Sequence, residues 1–259
     1  MFKTGEVIQN TRLFEGHTCR MEKDHFSGKL RAASDNFLNK QSAIDISWLP
    51  KAAEKLLISG NINDYVITEI PIVSVDVPNR NLDLFPYDEV SSFNPETGAL
   101  VYRSFVGKPT HRDHDNRDPR KAKGVIFDAN LQKVAGTDLW KIVILAGWDR
   151  TKDRHVAESI LRGEFKGHSM GALVGYTECN FPGCGATSPN GRIACRHMES
   201  GRGKGRLISA GAKQFVIAEI CRQICYIESS VITNGNGAEG HGGQADPEAI
   251  QRWVKPWNG

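Results

Sequence analysis

Gly167-His168-Ser169-Met170-Gly171-Ala172-Leu173-Val174-Gly175-Tyr176 is the stretch whose reading decides the fold. A serine stands between two glycines, and a small, apolar run follows it. The glycines permit a tight turn and leave space beside the hydroxyl. One reading is the G-x-S-x-G nucleophile elbow, which needs a strand before it, a helix after it, and an acid and then a histidine later in the chain. The order here is reversed. Residues 153–162 have helical character and stop at Gly163, whereas the run behind Ser169 is strand-like. The later histidines, His197 and His241, lie in a cysteine cluster and a glycine-rich stretch. The elbow is therefore rejected. Ser169 is either a nucleophile at the start of a strand or an ordinary turn serine, and the rest of the chain must decide.

Outward from this point the chain is rich in strand signals. Residues 65–70 and 72–77 are β-branched runs with partial alternation, divided by Pro71. Residues 101–106, 125–127 and 139–145 read as strands, and 214–232 is the last strongly apolar region. Helical readings cover 47–58, with Pro50 near the start and Gly60 at the stop, a short piece at 88–93, and 153–162. Residues 111–123 are dense in charge and read as a loop. A regular βαβ alternation is missing, so the expected class is strand-rich with a few helices, or α+β.

The 259 residues suffice for one substantial core with appendages. A net charge of +3 is too small to argue for nucleic acid as a partner. No apolar run reaches the roughly 18–20 residues that span a bilayer, and the N-terminus lacks an apolar signal core. A reducing cytoplasm is expected, where six cysteines favour thiols or a metal over disulfides. The expected organisation is an N-terminal arm and helix over 1–60, a main domain over 61–235 with a Cys/His-rich insertion at 178–206, and a flexible linker and tail over 236–259. His17, Cys19 and His25, in the arm, fit no metal spacing.

A serine nucleophile needs a base, and the base needs an orienting group. His114 is the best base candidate, in the polar loop His111-Arg112-Asp113-His114-Asp115-Asn116, with His111 its neighbouring rival. His168 is a poor base for Ser169, because adjacent residues of an extended chain point to opposite faces. Cys179, Cys184, Cys195 and His197 form C-x4-C-x10-C-x-H, a chemically complete set for tetrahedral structural zinc, with plain thiols the alternative. Cys221 and Cys225 lie in an apolar run and read as small buried hydrophobes. Gly201-Arg202-Gly203-Lys204-Gly205-Arg206 reads as a solvated basic loop. With Arg192 and Arg196 it also frames a third reading, a zinc-knuckle nucleic-acid binder.

Several motifs together carry a family resemblance over about residues 65–232. They are Val77-Pro78-Asn79-Arg80-Asn81 with Phe85-Pro86, then Phe105-Val106-Gly107-Lys108-Pro109 leading to His114 and on to Gly124-Val125-Ile126-Phe127-Asp128-Ala129. Ser169-Met170-Gly171 with the Cys/His cluster and Ile227-Glu228-Ser229-Ser230-Val231 complete the set. The chain resembles the prohead (capsid maturation) proteases of tailed bacteriophages, whose fold is shared with the herpesvirus assemblins, and the resemblance implies an α+β fold with a β-barrel-like, strand-rich core and surrounding helices. The resemblance implies a serine endopeptidase inside the immature capsid, in the host cytoplasm, that cleaves scaffold or core proteins, the major capsid protein and itself, and that forms a homo-oligomer. Carried over by motif, Ser169 is the nucleophile, His114 the general base and Glu228 the third member, with Asp115, Asp128 and, more distantly, Glu219 as rivals. A backbone N–H near Gly235 stands where the family binds the oxyanion. The competing expectation is an inactive capsid- or scaffold-binding protein with a zinc knuckle. No cofactor is expected for catalysis, and structural zinc is the one metal in view.

Overall fold

A computed structural model describes residues 2–8, 45–95, 97–134, 136–165, 167–188, 195–198, 207–210 and 213–233. Strand β1 (Phe2–Ile8) precedes helix α1 (Leu49–Leu56), and β2 (Tyr65–Val75), β3 (Asp83–Leu84) and the one-turn helix α2 (Tyr87–Val90) follow. Next come β4 (Phe93–Asn94), β5 (Ala99–Leu100), β6 (Pro109–Arg112), β7 (Gly124–Lys133), β8 (Trp140–Asp149) and helix α3 (Arg154–Leu161). The described chain ends with β9 (Gly167–Cys179), β10 (Thr187–Ser188), the hairpin β11 (Leu207–Ala210) and β12 (Lys213–Val216), and β13 (Glu219–Ile232). No helix among the described residues is long and apolar enough to cross a membrane.

One sheet dominates, in the order β1-β9-β13-β6-β7-β8-β2, with β10 on β9 and β3 on β13. Its two ends approach each other, β2 lying near β9 and β1, so the sheet curls into a half-barrel. The larger core covers one face of this sheet. It joins Ile70, Ile72, Phe85, Trp148 and Tyr226 to Val156, Ala157 and Ile160 of α3. A second cluster lies on the other face, where Leu49 and Leu56 of α1 meet Tyr65, Val125, Phe127, Leu145 and Ile227. Apolar positions at helical spacing, Leu49, Ala52, Ala53 and Leu56, give α1 this one buried stripe. The strand-rich class of the sequence reading therefore stands.

Four local expectations change. Phe2–Ile8, read as part of an arm, instead adds an antiparallel strand along β9. Pro71 does not divide two strands. β2 runs through it, and the register against β8 slips between Pro71 and Val73. Proline lacks an N–H, and β2 is the last strand of its order, so the missing donor costs little there. Residues 101–106, read as a strand, contain a 3-10 helix at Val101–Phe105. Its buried residues, Val101, Ser104 and Phe105, follow helical spacing, and Phe105 stacks on Tyr226 at 4.2 Å. His111 belongs to β6 rather than to the loop, which begins after Arg112.

Candidate active site

Strand alternation sets the first element of the site. Met170, Ala172 and Val174 of β9 belong to the larger core, so Ser169 and Gly171 point to the opposite face. On the neighbouring β13, Ser230 stands opposite Ser169 and Glu228 opposite Gly171. Glu228 reaches that face through an irregularity. Tyr226 belongs to the larger core, and regular alternation would place Glu228 there too. The register shift between Tyr226 and Glu228 reverses the phase and puts the carboxylate on the serine's face.

His114 arrives from the other side of β13. Beyond β6 the backbone turns sharply, with Asp113 and His114 both left-handed at φ 49° and 56°. Such conformations are uncommon for residues other than glycine and need local support. Asp113 supplies it. Its N–H donates to Val231 O at 2.9 Å, and its carboxylate accepts from the Thr233 N–H (2.8 Å) and hydroxyl (2.6 Å). The turn is thus laced to the end of β13.

The resulting geometry is continuous. His114 Nε2 lies 2.8 Å from Ser169 Oγ, and His114 Nδ1 lies 2.9 Å from Glu228 Oε1. A carboxylate only accepts, so Nδ1 carries the proton and the unprotonated Nε2 faces the serine hydroxyl. Ser169 and Glu228 are buried, and His114 keeps 24% of its side chain exposed. Burial pushes the Glu228 carboxyl up. His114, His111 and the Ser230 hydroxyl more than reverse this, so the group sits below its ordinary value and stays ionised.

The rival residues have other attachments. Asp115 pairs with Lys121 at 2.9 Å on the surface, and Asp128 with Arg103 at 2.9 Å. Glu219 begins β13, at the opposite end of the strand from Ser230. His168 faces the larger core, its ring 6.4 Å from that of Trp148. His111 is fully buried on β6, opposite Ser230. Ser230 and Asp113 were not singled out by sequence reasoning. The signal for Ser230 was its place two residues past Glu228, hence on the same strand face. Asp113 carried no comparable signal. Gly235 and the linker lie outside the described residues.

Burial drives His111 and His168 down to about 4, in His111 against an opposing pull from Glu228 and Asp115. Both are therefore neutral in the folded protein at pH 5–7. Unfolded histidine binds a proton below about 6.5, so between there and about 4 the unfolded chain holds more protons and stability drops as the pH is lowered. Glu228, with its depressed value, adds a loss in the same direction at more acid pH. Urea titrations at pH 7 and pH 5 are expected to differ by on the order of 2 kcal/mol per histidine. His168→Asn should flatten the dependence by about half.

At the far end of β9 the ligand atoms of Cys179, Cys184, Cys195 and His197 all lie within 4.8 Å of one another. His197 Nδ1 is 3.7 Å from Cys179 Sγ and 3.3 Å from Cys184 Sγ. Tetrahedral zinc, with bonds of about 2.3 Å to sulfur and 2.0–2.1 Å to nitrogen, would separate such atoms by roughly 3.5 Å. The donor set could therefore hold a metal.

No protein-family model and no curated protein matches the chain. Among solved structures the chain is similar to the bacteriophage T4 capsid assembly protease, gp21, at 13% identity and a TM-score of 0.33, covering 64% of this chain and 80% of that one. A TM-score this low leaves the functional argument to the site itself.

Proposed function

We propose that this chain is a serine endopeptidase that processes scaffold and capsid proteins, and itself, during maturation of a phage prohead. The observation that carries the reading is the unbroken Ser169–His114–Glu228 chain of hydrogen bonds across three elements far apart in sequence. A structural serine has no need of a base whose own proton is held by a buried carboxylate.

In this reading Ser169 Oγ attacks the peptide carbonyl carbon while His114 Nε2 takes its proton. Glu228 stabilises the imidazolium without taking the proton itself. His114 then gives the proton to the leaving amine, and water repeats the sequence on the acyl-enzyme. The phage setting, the capsid and scaffold substrates, the homo-oligomer and the site inside the capsid rest on the motif resemblance. An inactive binding protein is the second reading, and burial of an ionised Glu228 weighs against it, because an idle buried carboxylate is costly.

Mass spectrometry of the chain co-expressed with its capsid and scaffold proteins tests the proposal. Cleavage of partner and self that disappears in Ser169→Ala is the expected result. Identical processing by both proteins would refute it.

The reading includes zinc on Cys179, Cys184, Cys195 and His197. The metal would close the excursion between β9 and β13. One equivalent of zinc is expected by elemental analysis of the purified protein. Cys184→Ser should lower both zinc content and the melting temperature, and chelator should lower the melting temperature of the wild type only.

A further inference from the structure

Ser230 is a polar residue at the site to which the triad assigns no part. It is fully buried, and it occupies the centre of a row across the sheet, opposite Ser169 on one side and His111 on the other. Its hydroxyl donates to Glu228 Oε2 at 2.6 Å and accepts the His114 backbone N–H at 3.3 Å. One oxygen therefore touches both partners of the histidine's hydrogen bond. The first contact occupies the carboxylate oxygen that His114 does not use, which aims Oε1 at Nδ1. The second holds the backbone of a histidine in a left-handed conformation. An alanine would leave a buried carboxylate oxygen and a backbone N–H without these contacts.

We propose that Ser230 is a positioning residue that sets the His114–Glu228 geometry and thereby the basicity of His114 toward Ser169. The proposal rests on the serine-hydrolase reading of the site, and it reaches a residue that reading leaves idle. Ser230 touches no reacting atom. It acts through its neighbours, so its loss should slow the activation of Ser169 rather than substrate binding. Threonine keeps the hydroxyl and suits a strand. Cysteine is close in size to serine but a weak donor.

The test uses two readouts on the full chain. The first is the second-order rate at which an alkyl fluorophosphonate labels Ser169, which requires an activated hydroxyl. Ser230→Ala and Ser230→Cys are expected to slow labelling by about 10–100-fold, the range that loss of a hydrogen bond to a charged group implies. Ser230→Thr should stay within about threefold of wild type. The second readout is the downfield Nδ1–H proton resonance of His114, recorded in a Ser169→Ala background where no catalysis occurs. It should persist with Ser230→Thr and exchange away with Ser230→Ala. Equal labelling and an unchanged resonance in Ser230→Ala would overturn the proposal and leave the hydrolase reading intact. A folded wild type that is never labelled would instead count against the hydrolase reading, and the resonance would still decide the part of Ser230. Ser230→Cys supplies the same comparison should the alanine variant fold poorly.

Discussion

Ser169→Ala is expected to reduce peptide hydrolysis by at least about 10⁴-fold, while melting temperature and circular dichroism stay near wild type. The size follows from the chemistry. Without Oγ no acyl-enzyme forms, and what remains is whatever positioning and oxyanion stabilisation the site gives a water molecule. The benign effect on folding follows from the location. Ser169 lies on the strand face away from the larger core, its oxygen meets the His114 ring, and alanine keeps the strand backbone unchanged. Loss of activity with loss of fold would make the variant uninformative about chemistry, so the comparison rests on the melting temperature as much as on the rate. Retained hydrolysis in a folded Ser169→Ala would remove the nucleophile from the proposal.

Glu228→Gln should cost about 10³–10⁴-fold, nearly as much as loss of the nucleophile, although it changes neither size nor shape. Ser230 donates to Oε2, so an amide in this pocket is steered to place its oxygen there. Its NH₂ group then faces His114 Nδ1 and can only donate. The imidazole must carry its proton on Nε2, the atom that faces Ser169. In that tautomer it cannot accept the hydroxyl proton. The carboxylate charge that would stabilise the imidazolium is also gone. Rates of peptide cleavage and of fluorophosphonate labelling should fall together, with the substrate KM little changed. A Glu228→Gln enzyme within tenfold of wild type would show that another group orients His114.

Much of the candidate site was legible in the chain because its signals are local. Ser169 stood out through its glycine neighbours and the strand behind it. The exclusion of His168 needed only the two-residue period of a strand, and the structure places that ring in the core beside Trp148. The Cys/His set could be read as a metal ligand group because donor identity and count are properties of composition. Less legible were features decided by packing. Val101–Phe105 carries a valine and two aromatics, which suggests a strand, yet burial of Phe105 against Tyr226 selects a 3-10 turn. Phe2–Ile8 sits in a polar segment with no sustained period and still pairs along β9, because a strand edge supplies backbone partners to any extended segment.

The choice of acid is the sharpest division between the two levels. The sequence by itself determined that a glycine-flanked serine, an upstream histidine and several carboxylates were present in an order suited to a triad, and that the chain would build a strand-rich core. The motif resemblance favoured Glu228, but Asp115 and Asp128 stayed as rivals, since each has the chemistry to orient an imidazole. Only the tertiary structure separates them. Asp115 and Asp128 are engaged by Lys121 and Arg103, while the slip in register after Tyr226 turns Glu228 out of the core and onto the face of Ser169. The physical reason is that a side chain's identity is written at one position, whereas the face it occupies depends on every residue of register between two strands, and a single extra residue reverses it.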